Sequence, residues 1–402
     1  MPGVLPQGVS WEGSFPVSPE AVSDKTWHAY VHIPFCDVRC GYCDYNTYTS
    51  TEVQGVTRAE FHQPLITEMN QSKLVLDQAG IQTKPFSTVF FGGGTPSLFS
   101  IEQIEALLTS LQNNYGIKPN ADMTLEVNPD SVDLEYMQGL FQLGINRVSI
   151  GAQSFDPEVL KVLDRTHDTE NVSKAVSQAK QAGLMVSVDL IYGAPGETLQ
   201  SWLQTVEKTL SLEPDHLSAY ALIVERGTKL ERQVSKGILD MPDEDLMAAK
   251  YELLDEKTSQ AGLHWYELSN FSRSDQAISW HNRAYWSSNY WWGFGPGAHS
   301  FMGDVRWWNK KHPAAYSKST NGDLPIHGYE KITQRQHLEE RLLLEIRIRQ
   351  GLQQSLLDEL EVKPELVDQQ LDLGYLEKFD ESYSLTLKGR QMADRVVLNL
   401  LN

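Results

Sequence analysis

The first half of the chain alternates short apolar runs with longer segments of helical spacing. Apolar or β-branched runs predict strands at residues 30–35, 87–91, 123–127, 147–150, 185–192 and 216–224. Apolar residues three and four positions apart predict helices at residues 60–79, 104–111 and 171–182. Continuous apolar strands that alternate with helices indicate a parallel sheet buried on both faces. At least six such units before residue 262 favour a complete or partial βα barrel over a doubly wound sheet.

The pattern changes from residue 334. Helical spacing at residues 338–348 is followed by a helix–turn–helix pair at 352–360 and 364–373. A hairpin is predicted over residues 375–387, and a last helix begins at Lys388. This order resembles a winged helix, which often reads DNA, but the acidic chain favours a protein contact or a lid.

These patterns divide the α/β chain into four predicted segments. We expect an irregular lead-in at 1–26, a barrel core at 27–262, a Trp- and Gly-rich segment completing the barrel mouth at 263–333, and a small winged-helix-like α/β domain at 334–402.

Composition narrows the classes of function. The formal net charge of −19 argues against a nucleic-acid surface, because phosphate binding relies on Lys and Arg. No apolar run is long enough to span a bilayer, and the N-terminus lacks the basic and apolar regions of a signal peptide. We therefore expect a cytoplasmic, reducing location, while composition leaves peripheral membrane contact open.

All three cysteines of the chain lie within residues 36–43, directly after the first predicted strand. Three thiolates spaced x3 and x2 on one loop suit a soft metal centre. A [4Fe–4S] cubane normally takes four thiolates, so three would leave one iron open for another ligand. A structural zinc site would need a fourth ligand, and neither His28 nor His32 has the required spacing. So few cysteines also argue against a disulfide scaffold.

Glycine and polar residues follow the C-terminal ends of the predicted strands, which is where βα barrels carry their active-site residues. Residues 92–96, Gly-Gly-Gly-Thr-Pro, either let the backbone approach a ligand closely or form a plain turn. Glu126 ends the third strand and could accept hydrogen bonds from hydroxyl groups. Asp189 lies inside an apolar run, where an unpaired carboxylate is costly, and this placement suggests that it faces a site.

The cysteine spacing, with Tyr42 before the last cysteine, resembles the radical S-adenosylmethionine (SAM) enzymes. In that family the amino and carboxylate groups of SAM bind the open iron, and one electron cleaves SAM to a 5'-deoxyadenosyl radical. Residues 30–36, 92–96, 147–156 and 189–195 resemble in particular the oxygen-independent coproporphyrinogen III dehydrogenase branch.

The resemblance implies two sets of site residues, carried over motif by motif. The [4Fe–4S] cluster ligands would be Cys36, Cys40 and Cys43. The residues around SAM would be Tyr30, Tyr42, Gly93, Gly94, Thr95, Glu126, Gln153, Arg165 and Asp189.

Two departures from the dehydrogenase change the expected function. Tyr45 stands where the dehydrogenase has a further cysteine, and residues 281–286 read H-N-x-x-Y-W. Both features resemble a paralogous branch of heme chaperones, which hand heme to respiratory enzymes and have no established dehydrogenase turnover. The resemblance thus implies heme and heme-accepting proteins as partners. The alternative is a dehydrogenase that decarboxylates the propionate side chains of coproporphyrinogen III.

The Trp-rich segment supplies candidate heme contacts. Six of the ten tryptophans fall between residues 280 and 308. Aromatic side chains and a few histidines suit a flat apolar tetrapyrrole with an iron to ligate, but they also suit an ordinary aromatic core. His281, Tyr285 and Trp286 are the predicted heme residues, with His264 and His299 competing for the role of iron ligand.

Overall fold

The computed structural model describes residues 8–401, and strands alternate with helices through their first half. The strands up to residue 221 are β1 (Val9–Ser10), β2 (Trp27–Ile33), β3 (Glu52–Val53), β4 (Val56–Thr57), β5 (Phe86–Gly93), β6 (Ile117–Val127), β7 (Arg147–Gln153), β8 (Met185–Tyr192) and β9 (His216–Ala221). The helices up to residue 211 are α1 (His62–Gln78), α2 (Ile101–Asn114), α3 (Leu134–Gln142), α4 (Pro157–Val162), α5 (Thr169–Ala182) and α6 (Leu199–Ser211). The predicted alternation is confirmed, with the first strand shifted towards Trp27.

Six strands form the parallel centre of the sheet. β2, β5, β6, β7, β8 and β9 lie side by side in chain order, and each runs parallel to the next. Successive side chains of a strand point to opposite faces. In β2, Ala29 and Val31 are fully buried in the core that packs the helices against the sheet, whereas Tyr30 and His32 line the inner cavity. The sheet therefore curves around a lumen, as a βα barrel does.

The Trp-rich segment extends both edges of this sheet. The remaining strands up to residue 331 are β10 (His264–Glu267), β11 (Asn270–Ser272), β12 (Tyr290–Phe294), β13 (His299–Met302), β14 (Val305–Asn309) and β15 (Ile326–Lys331). The full strand order is β1-β15-β14-β13-β12-β2-β5-β6-β7-β8-β9-β11-β10. Among the described strands β1 and β10 remain unpaired edges, so the barrel is partial and not closed.

A short helix and the turn before it cover the lumen at the N-terminal ends of the strands. The helices of this part are α7 (Lys229–Ser235), α8 (Glu244–Gln260), α9 (Trp280–Trp286) and α10 (Pro313–Thr320). Buried Arg147, the first residue of β7, donates hydrogen bonds to the carbonyls of Ala277 (2.8 Å) and Ile278 (2.9 Å). Asp122 accepts from the Trp280 amide at 2.8 Å. The Trp-rich segment thus supplies a floor to the lumen as well as strands that reach its mouth.

The C-terminal residues build a small unit with a core of its own. Its elements are α11 (Gln334–Glu345), β16 (Leu352–Gln353), α12 (Gln354–Glu359), α13 (Pro364–Asp372), β17 (Leu376–Phe379), β18 (Ser382–Leu385), α14 (Leu387–Gln391) and α15 (Ala393–Leu400). The strands form a separate sheet in the order β16-β18-β17. Leu342, Leu356 and Val396 are fully buried in this second core. No helix in residues 8–401 combines the length and the apolar character needed to cross a membrane.

Candidate functional site

A cavity of about 940 Å³ opens at the C-terminal ends of the parallel strands. This volume lies near the upper end of the range of about 300–1,000 Å³ for ligand pockets. The predicted cluster, SAM and heme residues line it with the exception of Trp286, although they come from separate stretches of the chain. Of the two competing histidines, His299 lines the cavity and His264 does not; His264 is exposed in β10 at the sheet edge. The fold therefore gathers the predicted cluster, SAM and heme residues around one space, while their roles stay predictions.

The cysteine loop leaves β2 and is held in place by backbone hydrogen bonds. The Cys36 amide donates to the Tyr48 carbonyl at 3.0 Å, and the Tyr48 amide donates to Pro34 at 2.7 Å. At the far end of the loop, the Gly41 amide donates to Leu163 at 3.1 Å. These contacts fix the loop from both ends, so its three thiols keep their places at the cavity wall.

Two of the three thiols, those of Cys36 and Cys43, lie in an environment that favours their neutral form. Burial raises the pKa of Cys36 to about 11, although hydrogen bonding from the Thr95 hydroxyl opposes the rise. Burial also raises the pKa of Cys43. A metal binds the thiolate form, so metal binding would displace the protons of these thiols.

The donor set fits an iron–sulfur group in its chemistry. Three soft sulfur donors, Cys36, Cys40 and Cys43, are free thiols on one loop that borders the cavity. Within residues 8–401, no three His, Cys, Asp or Glu side chains are placed to hold one common metal ion. By the chemistry of their sulfur donors, the three cysteines are the residues that would hold a cluster.

Close backbone packing requires glycine at the positions after β5, and this requirement is not visible in the sequence. A side chain on Gly93, whose φ is +113°, would meet the His32 ring at 2.5 Å, and one on Gly94 would meet the Phe35 carbonyl at 2.4 Å. The amides of Gly94 and Thr95 both donate at 2.8 Å to carbonyls at the end of β2. Close packing of β5 against β2 therefore requires glycine here, whether or not a ligand also approaches.

Two half-buried carboxylates face the same cavity. Glu126 accepts a hydrogen bond from the Gly93 amide at 3.1 Å. Burial and, to a smaller extent, the charge of Asp189 raise the pKa of Glu126 to about 8. Burial likewise raises the pKa of Asp189, against the opposing effect of its hydrogen bond from Ser149 at 2.8 Å. Such acceptors suit a ligand that brings hydroxyl or ammonium donors.

The end of β7 carries a local backbone irregularity. Gln153 adopts a φ of 62°, which is uncommon for a residue with a side chain, and the pairing with β8 shifts between Gly151 and Gln153. Arg165 donates to the Gly151 carbonyl at 2.7 Å and lies 3.5 Å from the Cys40 sulfur. Its guanidinium thus connects the irregular strand end to the cysteine loop, where it could also grip a carboxylate.

The two predicted tyrosines differ in their surroundings. The Tyr30 hydroxyl bonds His32 Nδ1 at 3.1 Å, and His32 Nε2 lies 3.0 Å from the Asn46 carbonyl in the cysteine loop. Tyr42 instead packs against the apolar cluster that contains Leu163 and Leu222. Tyr30 therefore belongs to a polar chain through the cavity wall, while Tyr42 also anchors the loop.

His281 is locked into the floor of the lumen. Its side chain is buried, with Nδ1 bonded to the Thr88 hydroxyl at 2.7 Å and Nε2 to the Tyr285 hydroxyl at 3.0 Å. The ring stacks on Phe90 at 4.9 Å. Iron ligation by His281 would require one of these hydrogen bonds to break, so the structure gives this predicted ligand a different set of partners. Trp286 does not line the cavity at all.

Several cavity residues were not among the predicted site residues. Ser149, Ser187 and Ser218 donate to Asp189 from three adjacent strands. Ser149 pairs with Ser187 across the sheet, and Ser218 pairs with Asp189 itself. Polar residues at matching positions in apolar strands are a signal that could have found them. Trp291 and Lys311 also line the cavity. The position of Trp291 follows from the pairing of β12 with β2, which the sequence does not show.

Comparisons with known proteins agree on one family. The profile of the Radical SAM superfamily matches residues 30–209. Heme chaperone HemW of Mycobacterium tuberculosis is 40% identical over 374 residues, covering 92% of this chain and 94% of that protein. Heme chaperone HemW of Bacillus subtilis is 31% identical over 379 residues, covering 92% and 97%.

A solved structure shares the whole architecture. Coproporphyrinogen III oxidase (HemN) from Escherichia coli, described as a radical SAM enzyme, superposes with a TM-score of 0.79 and covers 98% of this chain and 99% of its own. The two sequences are 21% identical. At this identity the likeness shows a common fold and does not extend to activity.

Proposed function

This chain belongs to the HemW family within the radical SAM superfamily, and on that premise we propose that it is a heme chaperone. In this proposal it binds heme in the cavity beside the cysteine loop and delivers the heme to heme-requiring proteins, respiratory enzymes among them. The expected place of work is the cytoplasm, where reduced thiols persist.

One observation carries the proposal beyond family membership. The same cavity of about 940 Å³ is bordered by the cysteine loop and by the aromatic side chains of Phe90, Tyr285 and Trp291. A flat, largely apolar ring needs such a wall, with a few polar groups to orient it. Room for a tetrapyrrole beside the cysteine loop is what a heme-binding member of this superfamily requires.

The proposed cofactors occupy the loop and the strand ends. Cys36, Cys40 and Cys43 would hold a [4Fe–4S] cluster, which supplies one-electron chemistry and an open iron when bound. The residues proposed to surround SAM are Tyr30, Tyr42, Gly93, Gly94, Thr95, Glu126, Gln153, Arg165 and Asp189. Arg165 would face the carboxylate of the ligand, and the half-buried acids Glu126 and Asp189 would face its hydroxyl or ammonium groups.

The test compares heme binding with porphyrinogen turnover in one preparation. The cluster is reconstituted and reduced anaerobically, and the protein then receives heme in one sample and coproporphyrinogen III with SAM in another. The proposal expects about one retained heme per chain, a Soret band distinct from that of free heme, and no decarboxylation. Decarboxylation without retained heme would identify a dehydrogenase and contradict the proposal.

A further inference from the structure

One histidine at the cavity mouth points into the lumen beside the aromatic wall. Trp291 of β12 pairs with Phe301 of β13 across the sheet, so their side chains share a face. His299 lies two residues before Phe301 in the same strand and therefore points to that face as well. Both Trp291 and His299 line the cavity, and the Trp291 indole donates to the His299 carbonyl at 3.1 Å.

Of the histidines that line the cavity, His299 is exposed, whereas His32, His167, His216 and His281 are buried. Nε2 of His167 has no hydrogen-bond partner in the described part of the chain, but that atom is not accessible to solvent. The ring nitrogens of His32 and of His281 are all engaged in hydrogen bonds. His299 is exposed, and in the described part of the chain its ring has only an aromatic contact with Trp308 at 6.1 Å. Enclosure by the cavity walls and the positive charge of Lys311 lower the pKa of His299. The lowered pKa favours the neutral imidazole, which is the form that binds iron.

A cation lies at the same rim. Lys311 follows β14, is exposed, and lines the cavity with His299. Its carbonyl accepts a hydrogen bond from Asn46 of the cysteine loop at 2.7 Å, so the backbone beneath it is fixed. No ion pair within residues 8–401 involves its ammonium group. In a chain with a net charge of −19, an unpaired lysine at the cavity mouth is suited to an anionic ligand group.

We propose that His299 ligates the iron of the bound heme and that Lys311 pairs with one of its propionates. The inference rests on the heme-binding function proposed above and specifies how that site holds its ligand. The tetrapyrrole then lies against Trp291, with its iron towards His299 and its carboxylate edge at the rim. His281 has a different role, since it fastens the floor of the lumen.

The experiment uses the full chain with its cluster reconstituted under anaerobic conditions. Heme is titrated into the wild type, His299→Ala, His299→Gln and His281→Ala, with the exposed His264→Ala as the matched control. Absorption and electron paramagnetic resonance spectra report the iron ligand. Both His299 variants are expected to lose the wild-type Soret position and spin state, while the control keeps them. Retention of the cluster absorbance shows that a variant has folded.

A second titration tests the lysine. Lys311→Ala should weaken heme binding about tenfold, the effect of one charge-assisted hydrogen bond, with exposed Lys318→Ala as control. The same titration with the dimethyl ester of heme, whose propionates carry no charge, should show no difference between Lys311→Ala and the wild type. Equal weakening for both porphyrins would contradict the propionate contact.

The outcomes separate the inference from the function. A wild-type protein that binds no heme overturns the proposed function, and the inference with it. Heme binding whose spectrum survives in both His299 variants but changes in His281→Ala leaves the function standing and overturns His299 as the ligand.

Discussion

Single residues of the lumen combine burial with charge. Asp189 lies in an otherwise apolar strand, and three serine hydroxyls compensate for part of the cost of burying its carboxylate. Burial and the charge of Asp189 raise the pKa of Glu126 to about 8, and the hydrogen bond from the Gly93 amide opposes that rise. Within residues 8–401 neither acid forms an ion pair, so this pair of acceptors is suited to a ligand that brings hydrogen-bond donors.

Replacing Asp189 by Asn tests this reading of the acids. The substitution keeps the size of the side chain but removes the charge, so the dissociation constant for SAM should rise about tenfold. Calorimetric titration of SAM into the reconstituted protein measures the effect, with the surface substitution Asp240→Asn as control. Unchanged SAM affinity in Asp189→Asn would show that its carboxylate does not face SAM.

Replacing His281 by Ala should affect stability before it affects ligand binding. The change leaves the Tyr285 hydroxyl without its partner, leaves the Thr88 hydroxyl with only its bond to His28, and opens a void beside Phe90. We expect the free energy of unfolding to fall by about 2–4 kcal/mol. Urea denaturation measures it, and His299→Ala, at an exposed position, should change it by less than about 0.5 kcal/mol. Equal stability of the two variants would contradict the view that His281 fastens the floor of the lumen.

The sequence predicted the polar residues of the cavity better than it predicted their partners. Asp189 is conspicuous because it interrupts an apolar run, and the cysteines are conspicuous because all three lie within residues 36–43. The bonds of His281 are not visible in this way, since its partner Thr88 lies 193 positions away in the chain. Likewise, nothing in the sequence near His299 shows that its strand pairs with β12 and turns its ring into the lumen.

At the scale of elements, Glu68 connects a helix to the loop beneath the cavity mouth. This buried carboxylate of α1 accepts from the Gly295 amide at 2.8 Å and from Asn309 at 2.6 Å, and it bonds the Tyr316 hydroxyl. Burial raises its pKa from 4.5 to about 8. Asn46 of the cysteine loop bonds the neighbouring Pro296 carbonyl at 3.0 Å, so Glu68 indirectly supports that loop.

The raised pKa of Glu68 predicts a pH dependence of stability. Between about pH 4.5 and pH 8 the folded chain keeps a proton on Glu68 that the unfolded chain has lost. The contribution of Glu68 to the free energy of unfolding is therefore fully present below pH 4.5 and is lost as the pH rises to about 8. Glu68→Gln should flatten this decrease by up to about 1.4 kcal/mol per pH unit. Urea denaturation at pH 6 and pH 8 measures the slope, with exposed Glu105→Gln as control. Parallel slopes for Glu68→Gln and the wild type would contradict the prediction.

The ends of helices could be predicted from the sequence more directly than the pairing of strands. Ser100 and Gln103 form the reciprocal capping box expected from their spacing, and Gly183 ends α5 in the left-handed conformation. These signals act within one turn of chain. The division of the Trp-rich segment between both sheet edges and the floor depends on long-range pairing, so periodicity alone could not give it.

At the scale of the whole molecule, several contacts join the two separate cores, and one of them is centred on Arg390. Arg390 of the C-terminal unit donates to Asp255 of α8 at 2.7 Å and to the Tyr251 hydroxyl at 3.2 Å. Its guanidinium also lies over the Trp265 ring, 4.4 Å from the centroid. The limits of the four predicted segments stay a prediction, but this contact shows how residues beyond 334 attach to the barrel.

Arg390→Ala should loosen that attachment. The change leaves Asp255 without its cation and removes the packing on Trp265, which should cost about 3 kcal/mol. Urea denaturation measures the loss, and limited proteolysis should cut residues 334–401 faster than in the wild type. Exposed Arg395→Ala serves as the control. Wild-type stability and cleavage in Arg390→Ala would show that the apolar contacts suffice.

The central claim is delivery of heme, and a transfer assay tests it most directly. Protein loaded with one heme is mixed anaerobically with the apo form of a respiratory heme enzyme, or with a tight heme scavenger that only captures released heme. If delivery proceeds through a complex, heme should pass to the enzyme at a rate that rises with enzyme concentration and exceeds the rate of its release to the scavenger. Transfer no faster than passive release to the scavenger would contradict it.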